Sequence, residues 1–399
     1  MKTPFNIRAP AFDANAINET IQRAMASAGL DTASGPMRSV TDTIQRALRT
    51  GDMAPAGGAD ATSDNTIDVV ARVVGESIPP DSGPAHAAQA QPKQARGSFE
   101  RHTFTNGTGS RNYKLYVPAD ITGSPPLVVM LHGCTQTADD FAAGTQMNLL
   151  AETHGFLVAY PEQETGANPS RCWNWFSASD QVRDSGEPSL IAGIARAVAE
   201  RHGVDKRRIF VAGLSAGAAM AVILGETYPE LFAGVGAHSG LPYGSAHDIP
   251  SAMAAMKGGR SGIAGIKSTG GTASKPRRST ARAVPTIVFH GDRDHTVQHT
   301  NGAEIIAQAA NAHAAEVGDV VMRAQSTSGT STGGRRYSTA VHVDAAGKTL
   351  IEDWTVHGAG HAWSGGSANG SFTDGSGPDA SAEMARFFLA LHQSRSASA

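Results

Sequence analysis

The sequence predicts an α/β fold: a mostly parallel sheet covered by helices on both faces, with a helical N-terminal extension. Two observations carry this. Between residues 98 and 393, short continuous apolar runs alternate with helical segments, the pattern of parallel strands buried on both faces. One of these runs, residues 207–212, leads through Gly213-Leu214-Ser215-Ala216-Gly217 directly into a helix-forming run, 218–224. Glycines at both ends of that junction let strand and helix approach closely while the serine sits on a strained turn.

The elements follow in order. Residues 1–78 form the extension. Two helical segments in it, 14–30 and 39–51, share a small repeat: Thr20-Ile21-Gln22-Arg23-Ala24-Met25 and Thr43-Ile44-Gln45-Arg46-Ala47-Leu48. In the second, Val40, Ile44, Ala47 and Leu48 line one helix face. Two short helices bury little core alone. They are therefore expected to dock on the rest of the chain, on a second copy, or on an apolar surface such as a polymer. Residues 79–97, rich in Pro, Ala and Gln, read as a linker. The main domain runs from 98 to 393 and leaves a tail, 394–399. It opens with a hairpin, 99–105 and 111–117, with Asn106-Gly107 in the turn. A strand at 127–131, a helix over 139–154, a strand at 156–160 and a helix at 189–202 precede the Ser215 junction. Strands at 234–238, 286–289 and 350–356 follow, and 384–391 lies in a last amphipathic helix.

Composition excludes several classes. The 399 residues are 40% hydrophobic and 17% charged, with a net charge of −3, so nucleic acid is not expected as a partner. Basic residues cluster between Lys267 and Arg282 (Lys275, Arg277, Arg278), but the Ser, Gly and Thr around them read as a solvated loop. No apolar run is long enough to span a membrane. Residues 1–15 carry no apolar signal-peptide core, which favours a cytoplasmic location. The two cysteines, Cys134 and Cys172, are too few for a disulfide scaffold or a structural zinc site. They are either two buried thiols or one bridge.

A G-x-S-x-G run between a strand and a helix is the nucleophile elbow of an α/β-hydrolase, which makes Ser215 the candidate nucleophile. With 45 glycines the chain matches the pattern again at Gly329-Thr330-Ser331-Thr332-Gly333, but there in a Ser/Thr/Gly-rich loop, 326–334, with no apolar strand before it. Ser331 is read as a decoy.

A nucleophilic serine needs a base, an orienting acid and an oxyanion hole, in the chain order Ser, acid, His. Residues 284–289 form the expected strand after the elbow, and the segment behind it offers Asp292 and Asp294. Beyond the last strand stand His357 and His361. Their i, i+4 spacing fits a metal pair on a helix, but Gly358 and Gly360 disfavour a helix there, and no metal or cofactor is expected. The small residues before His361 suit a loop that reaches across to the serine. The oxyanion donors are expected to be the backbone N–H groups of Ala216 and Cys134, the latter in the segment following the strand at 127–131. In the loop from 161 to 188, Cys172-Trp173-Asn174-Trp175-Phe176 is either part of a substrate-lining wall or a buried aromatic plug. Trp173, Trp175 and Trp363 are the candidate substrate contacts.

Together, LHGC, CWNWF, GLSAGAAM, HSGLPYG, HGDRDHTV and GHAWSGG resemble the polyhydroxybutyrate depolymerase family of esterases, over roughly residues 98–393. The likeness extends more loosely to feruloyl and acetylxylan esterases. It implies a serine esterase acting on a polyester or oligomer through an acyl-enzyme. It also implies a triad of Ser215, Asp294 and His361, because the HGxxDxxV spacing selects Asp294 over Asp292, and a Cys134–Cys172 disulfide. Members of the family are often secreted, which makes an extracellular location the alternative. No C-terminal substrate-binding domain is recognisable. A carbohydrate esterase, or a non-catalytic polymer- or granule-binding protein, are the alternative readings.

Overall fold

Strand and helix alternate from Ser98 to Ala390 in the computed structural model, which describes residues 96–258, 282–317 and 322–391. The N-terminal helical segments and their repeat, nearly all of the linker, the basic cluster up to residue 281 and the C-terminal tail lie outside the described residues. The hairpin β1 (Ser98–Asn106) and β2 (Gly109–Val117) is followed by β3 (Leu127–Leu131), the helices α1 (Ala138–Thr145) and α2 (Met147–His154), β4 (Leu157–Pro161) and α3 (Gly186–His202). Next come β5 (Ile209–Leu214), α4 (Ala216–Thr227), β6 (Gly234–His238), α5 (Ile249–Met256), β7 (Thr286–Gly291) and α6 (Thr300–Val317). The chain closes with β8 (Arg323–Thr330), β9 (Arg336–Val343), β10 (Thr349–Val356), the two-residue strands β11 (Trp363–Ser364) and β12 (Thr373–Asp374), and α7 (Ala380–Ala390).

Ten strands form one sheet in the order β1-β2-β4-β3-β5-β6-β7-β10-β9-β8. From β4 to β10 the pairings are parallel; the β1–β2 and β8–β9 hairpins flank them with antiparallel ones. Period-two alternation in β3 sorts its side chains between two layers. Leu127, Val129 and Leu131 pack with apolar residues of α3 and α4, whereas Val128 and Met130 pack with those of α1, α2 and α7. Burying each such side chain contributes about 1.5–3 kcal/mol, which is why these strands read as unbroken apolar runs.

Two expectations are corrected. The helix expected over 139–154 is two helices, broken at Gln146 in the left-handed region (φ 54°), whose N–H closes α1 on Ala142 O. Apolar spacing carries across the break because Phe141, Ala142, Met147 and Ala151 all bury. The segment 326–334, read as a loop, is largely strand: Ser326–Thr330 end β8 and pair with β9, and Ser331 lies in the turn. Its residues are almost all exposed and polar, so no apolar alternation announced the strand. Helices α5 and α6 were not anticipated. No described helix is long and apolar enough to cross a membrane.

Candidate active site

Ser215 follows β5 and precedes the first turn of α4, with φ 57° and ψ −119°, a conformation costly for a residue with a Cβ. The elbow is wedged against β3. A Cβ on Gly217 would come within 2.1 Å of Leu131 O, and one on Gly213 within 2.4 Å of Gly217 C, so neither position admits a side chain. The Ser215 side chain does not cap the helix. The first N–H groups of α4, next to it in the chain, have no intrahelical acceptor.

The candidate acids and bases come from loops at the ends of β7 and β10, which are paired in parallel. Arg293 N donates to Ala359 O (3.0 Å) and Asp292 N to Val356 O (3.1 Å), docking one loop on the other. Gly291 permits this approach, since a Cβ there would lie 2.3 Å from Ala359 O. Within this joint each aspartate takes its own histidine. Asp294 Oδ2 accepts from His361 Nδ1 at 2.6 Å, and Asp292 Oδ2 accepts from His357 Nδ1 at 2.9 Å. Asp294 is the buried partner, its Oδ1 accepting from Thr296 N and Val297 N, both at 2.9 Å. Burial alone would raise the Asp294 pKa, but hydrogen bonds from His290 and His361 outweigh it and hold the carboxyl well below the usual range. The two histidines thus face separate carboxylates, and among the described residues no group of three His, Cys, Asp or Glu side chains is arranged to hold a metal ion.

After β3, the loop carrying Cys134 has its flanking donors occupied. Gly133 N donates to Gln136 Oε1 (2.9 Å) and Thr135 N to Ser170 O (2.7 Å). Cys134 and Cys172 are joined in a disulfide that ties this loop to the aromatic segment. A buried polar network backs both. His132 donates from Nδ1 to Gly133 O (2.7 Å) and accepts Gln163 N at Nε2 (3.0 Å). Burial lowers its pKa to about 4, matching that neutral tautomer. Gln163 Nε2 reaches Cys172 O (2.9 Å) and Glu187, while Asn174 N donates to Glu187 Oε2 (2.7 Å). Burial, with Asp180 nearby, raises the Glu187 pKa to about 6.

Of the two readings of the aromatic segment, the burial of its tryptophans fits the plug. Trp173, Trp175 and Trp363 are buried. Trp173 Nε1 donates to His132 O (3.0 Å) and Trp363 Nε1 to Ser381 Oγ (3.0 Å), which fixes both rings in place.

His238, at the end of β6, had no role assigned from sequence. Its carbonyl accepts Ser215 N (2.9 Å), and its Nε2 accepts Ser364 N (3.0 Å), three residues beyond His361. The ring stacks on Phe289 and Trp363, and burial lowers its pKa to about 3. Ser215 Oγ makes no hydrogen bond to His361 or to another described residue. His238 is what connects the serine turn to the histidine loop. A histidine closing the strand beside the elbow strand was the available signal.

A family model described as esterase PHB depolymerase matches residues 111–331, which include Ser215 and Asp294 and stop short of His361. Among curated proteins, poly(3-hydroxyalkanoate) depolymerase C of Paucimonas lemoignei is 34% identical over 273 residues, covering 64% of this chain and 59% of that protein. A probable acetylxylan esterase A of Aspergillus flavus is 35% identical over 161 residues, covering 39% of this chain and 52% of that protein. The chain thus spans little more than half the length of the curated relatives it matches. Among solved structures, an acetyl xylan esterase from Aspergillus awamori aligns with a TM-score of 0.53 at 22% identity, over 73% of this chain and 99% of that one, a likeness of fold.

Proposed function

Because the chain belongs to the polyhydroxybutyrate depolymerase family of esterases, we propose that it hydrolyses ester bonds of hydroxyalkanoate polyesters or their oligomers through an acyl-enzyme on Ser215. The observation that carries this reading is the 2.6 Å bond between His361 Nδ1 and the buried, ionised Asp294. With Nδ1–H committed to the carboxylate, Nε2 is left as the proton acceptor.

Ser215 Oγ attacks the ester carbonyl as His361 Nε2 takes its proton. The carbonyl oxygen, now negative, is held by the N–H groups of Ala216 and Cys134. Collapse of the tetrahedral intermediate expels the alcohol, which receives the proton from His361. Water then enters by the same base and releases the acid. Asp294 stabilises the imidazolium without itself taking the proton.

Esters of carbohydrates are the second reading, favoured by the acetylxylan esterase relatives. The disulfide supports the extracellular alternative, because such bonds persist in oxidising compartments. We assign residues 1–97 to tethering at the polymer surface, which would raise local enzyme concentration without altering the chemistry. Deleting them should then spare soluble esters and slow polymer particles.

The test is a burst of p-nitrophenol from a short acyl ester, followed by product analysis on polyhydroxybutyrate particles and on acetylated xylan. Loss of the burst in Ser215→Ala, with soluble hydroxy acids released from the polymer by the unaltered protein, is the expected result. Acetate release from xylan with an untouched polymer would transfer the assignment to carbohydrate esters. A burst that survives Ser215→Ala would remove the nucleophile assignment.

A further inference from the structure

The Asp292–His357 pair does not end at the histidine. His357 Nε2 lies 2.8 Å from Ser338 Oγ, completing a second Ser–His–Asp chain outside the proposed site. Asp292 is oriented by two donors, His357 Nδ1 on Oδ2 and Gly358 N on Oδ1 (2.7 Å). Burial works to raise the Asp292 pKa, but these hydrogen bonds and the nearby Arg293 outweigh it, so the carboxyl titrates below its usual range. An ionised Asp292 keeps the proton of His357 on Nδ1 and leaves Nε2 as an acceptor. In the neutral imidazole with Nδ1–H on Asp292, Nε2 accepts the Ser338 hydroxyl. Ser338 stands in β9, opposite Thr355 of β10 and Ser328 of β8, the latter with its hydroxyl 3.2 Å away. His357 and Asp292 are each one-third exposed and Ser338 is half-buried, so none of the three is sealed from solvent. Nucleophile, base and orienting acid in hydrogen-bonded series are what activate a serine.

We propose that Ser338 is a second nucleophilic serine, acylated by activated esters of small carboxylic acids with His357 as base and Asp292 as its orienting acid. Ser338 Oγ bonds to the acyl carbon as its proton passes to His357 Nε2. The bond from that carbon to the leaving oxygen breaks, and the leaving alcohol or phenol carries the proton away. The products are an acyl-serine and the free alcohol, with no other reactant. Ser338 lies inside a strand ladder rather than at a helix N-terminus, so it lacks the oxyanion donors proposed for Ser215. Each missing donor costs on the order of 100- to 1000-fold in rate. The site therefore collects one acyl group slowly instead of turning over. Nothing in this step depends on the reaction at Ser215.

The experiment treats full-length Ser215→Ala protein with p-nitrophenyl acetate and maps acetylated serines by mass spectrometry. The exposed Ser124 serves as the unassisted reference. Acetylation of Ser338 should exceed that of Ser124 by about 100-fold, the scale of general-base assistance. Adding His357→Gln or Asp292→Asn should remove most of that excess and leave Ser124 unchanged, with melting curves showing that both variants are folded. Labelling of Ser338 no faster than of Ser124, or labelling indifferent to both substitutions in folded protein, overturns the proposal.

Discussion

Asp294–His361 and Asp292–His357 arise from the same two loops, and in both pairs the imidazole Nδ1 meets a carboxylate oxygen within 2.9 Å. Their surroundings differ. The Asp294 side chain is fully buried and His361 is 14% exposed, whereas both members of the outer pair are 33% exposed. The serine proposed for the inner pair sits in a strained left-handed turn at a helix N-terminus, and the loop proposed to face it is pinned by a disulfide. The outer pair is matched with a serine in an ordinary strand. Only the outer pair is hydrogen-bonded on to its serine, His357 Nε2 to Ser338 Oγ. A water-poor, preorganised setting separates fast turnover from simple reactivity.

The comparison breaks most visibly at the aspartates. Asp294→Asn should cut kcat/KM on a soluble ester by about 10⁴-fold through the wrong imidazole tautomer. Asp292→Asn should cost no more than about tenfold, by loosening the loop that carries His361. Equal losses in parallel kinetics would mean that the two pairs work as one.

The disulfide ties the loop after β3, where the oxyanion donor is proposed, to the aromatic segment. Its 38-residue separation predicts a loss of about 3–4 kcal/mol on reduction, read from denaturant curves with and without reductant. Ester turnover should fall with it, while acetylation of Ser338 should not respond.

His238 also distinguishes the two. His238→Phe preserves the stack on Phe289 and Trp363 but removes the acceptor for Ser364 N. We expect a loss in kcat of about 100-fold with KM little changed, the scale of a small misplacement of reacting groups. His238→Gln, which restores an acceptor, should recover most of it. A loss confined to KM would mean that the histidine acts on substrate binding instead.

The smallest effect concerns pH. Burial pushes the Glu187 pKa from the ordinary 4.5 up to about 6, so the folded state holds that proton more tightly. This contribution is complete below pH 4.5 and is lost as pH rises through 6, a swing of about 2 kcal/mol. Glu187→Gln does not titrate there. Its stability relative to the unaltered protein should therefore improve by that amount between pH 4 and pH 7 in urea titrations. A constant difference would show that Arg111 and Asn174 hold the carboxylate ionised throughout.

Much of this architecture was legible along the chain. Strands β3, β5, β6 and β7 are buried on both faces, and continuous apolar runs are the direct signature of that burial. The elbow was legible because its glycines answer a local steric demand. The β8–β9 hairpin was not, since its polar edge buries little and so leaves no pattern. Nor was the break at Gln146, because the residues on either side of it still bury. The tryptophans were left open for a related reason: composition marks an aromatic segment, but only the packing around it determines whether it faces solvent.

By itself the sequence determined the fold class and the elbow that presents Ser215, and from its residues alone it left two aspartates and two histidines as candidates, of which the family resemblance favoured Asp294 and His361. Fold class and elbow are local properties, written in periodicity and in glycines at fixed spacing. Which aspartate meets which histidine was decided in three dimensions. The two carboxylates are two residues apart in one loop, the two imidazoles four apart in another, and the pairs span 65 and 67 residues. Only the parallel pairing of β7 with β10, and the close seat of Ala359 over Gly291, sets the register in which those loops meet. That register sends Asp294 inward to His361 and Asp292 outward to His357.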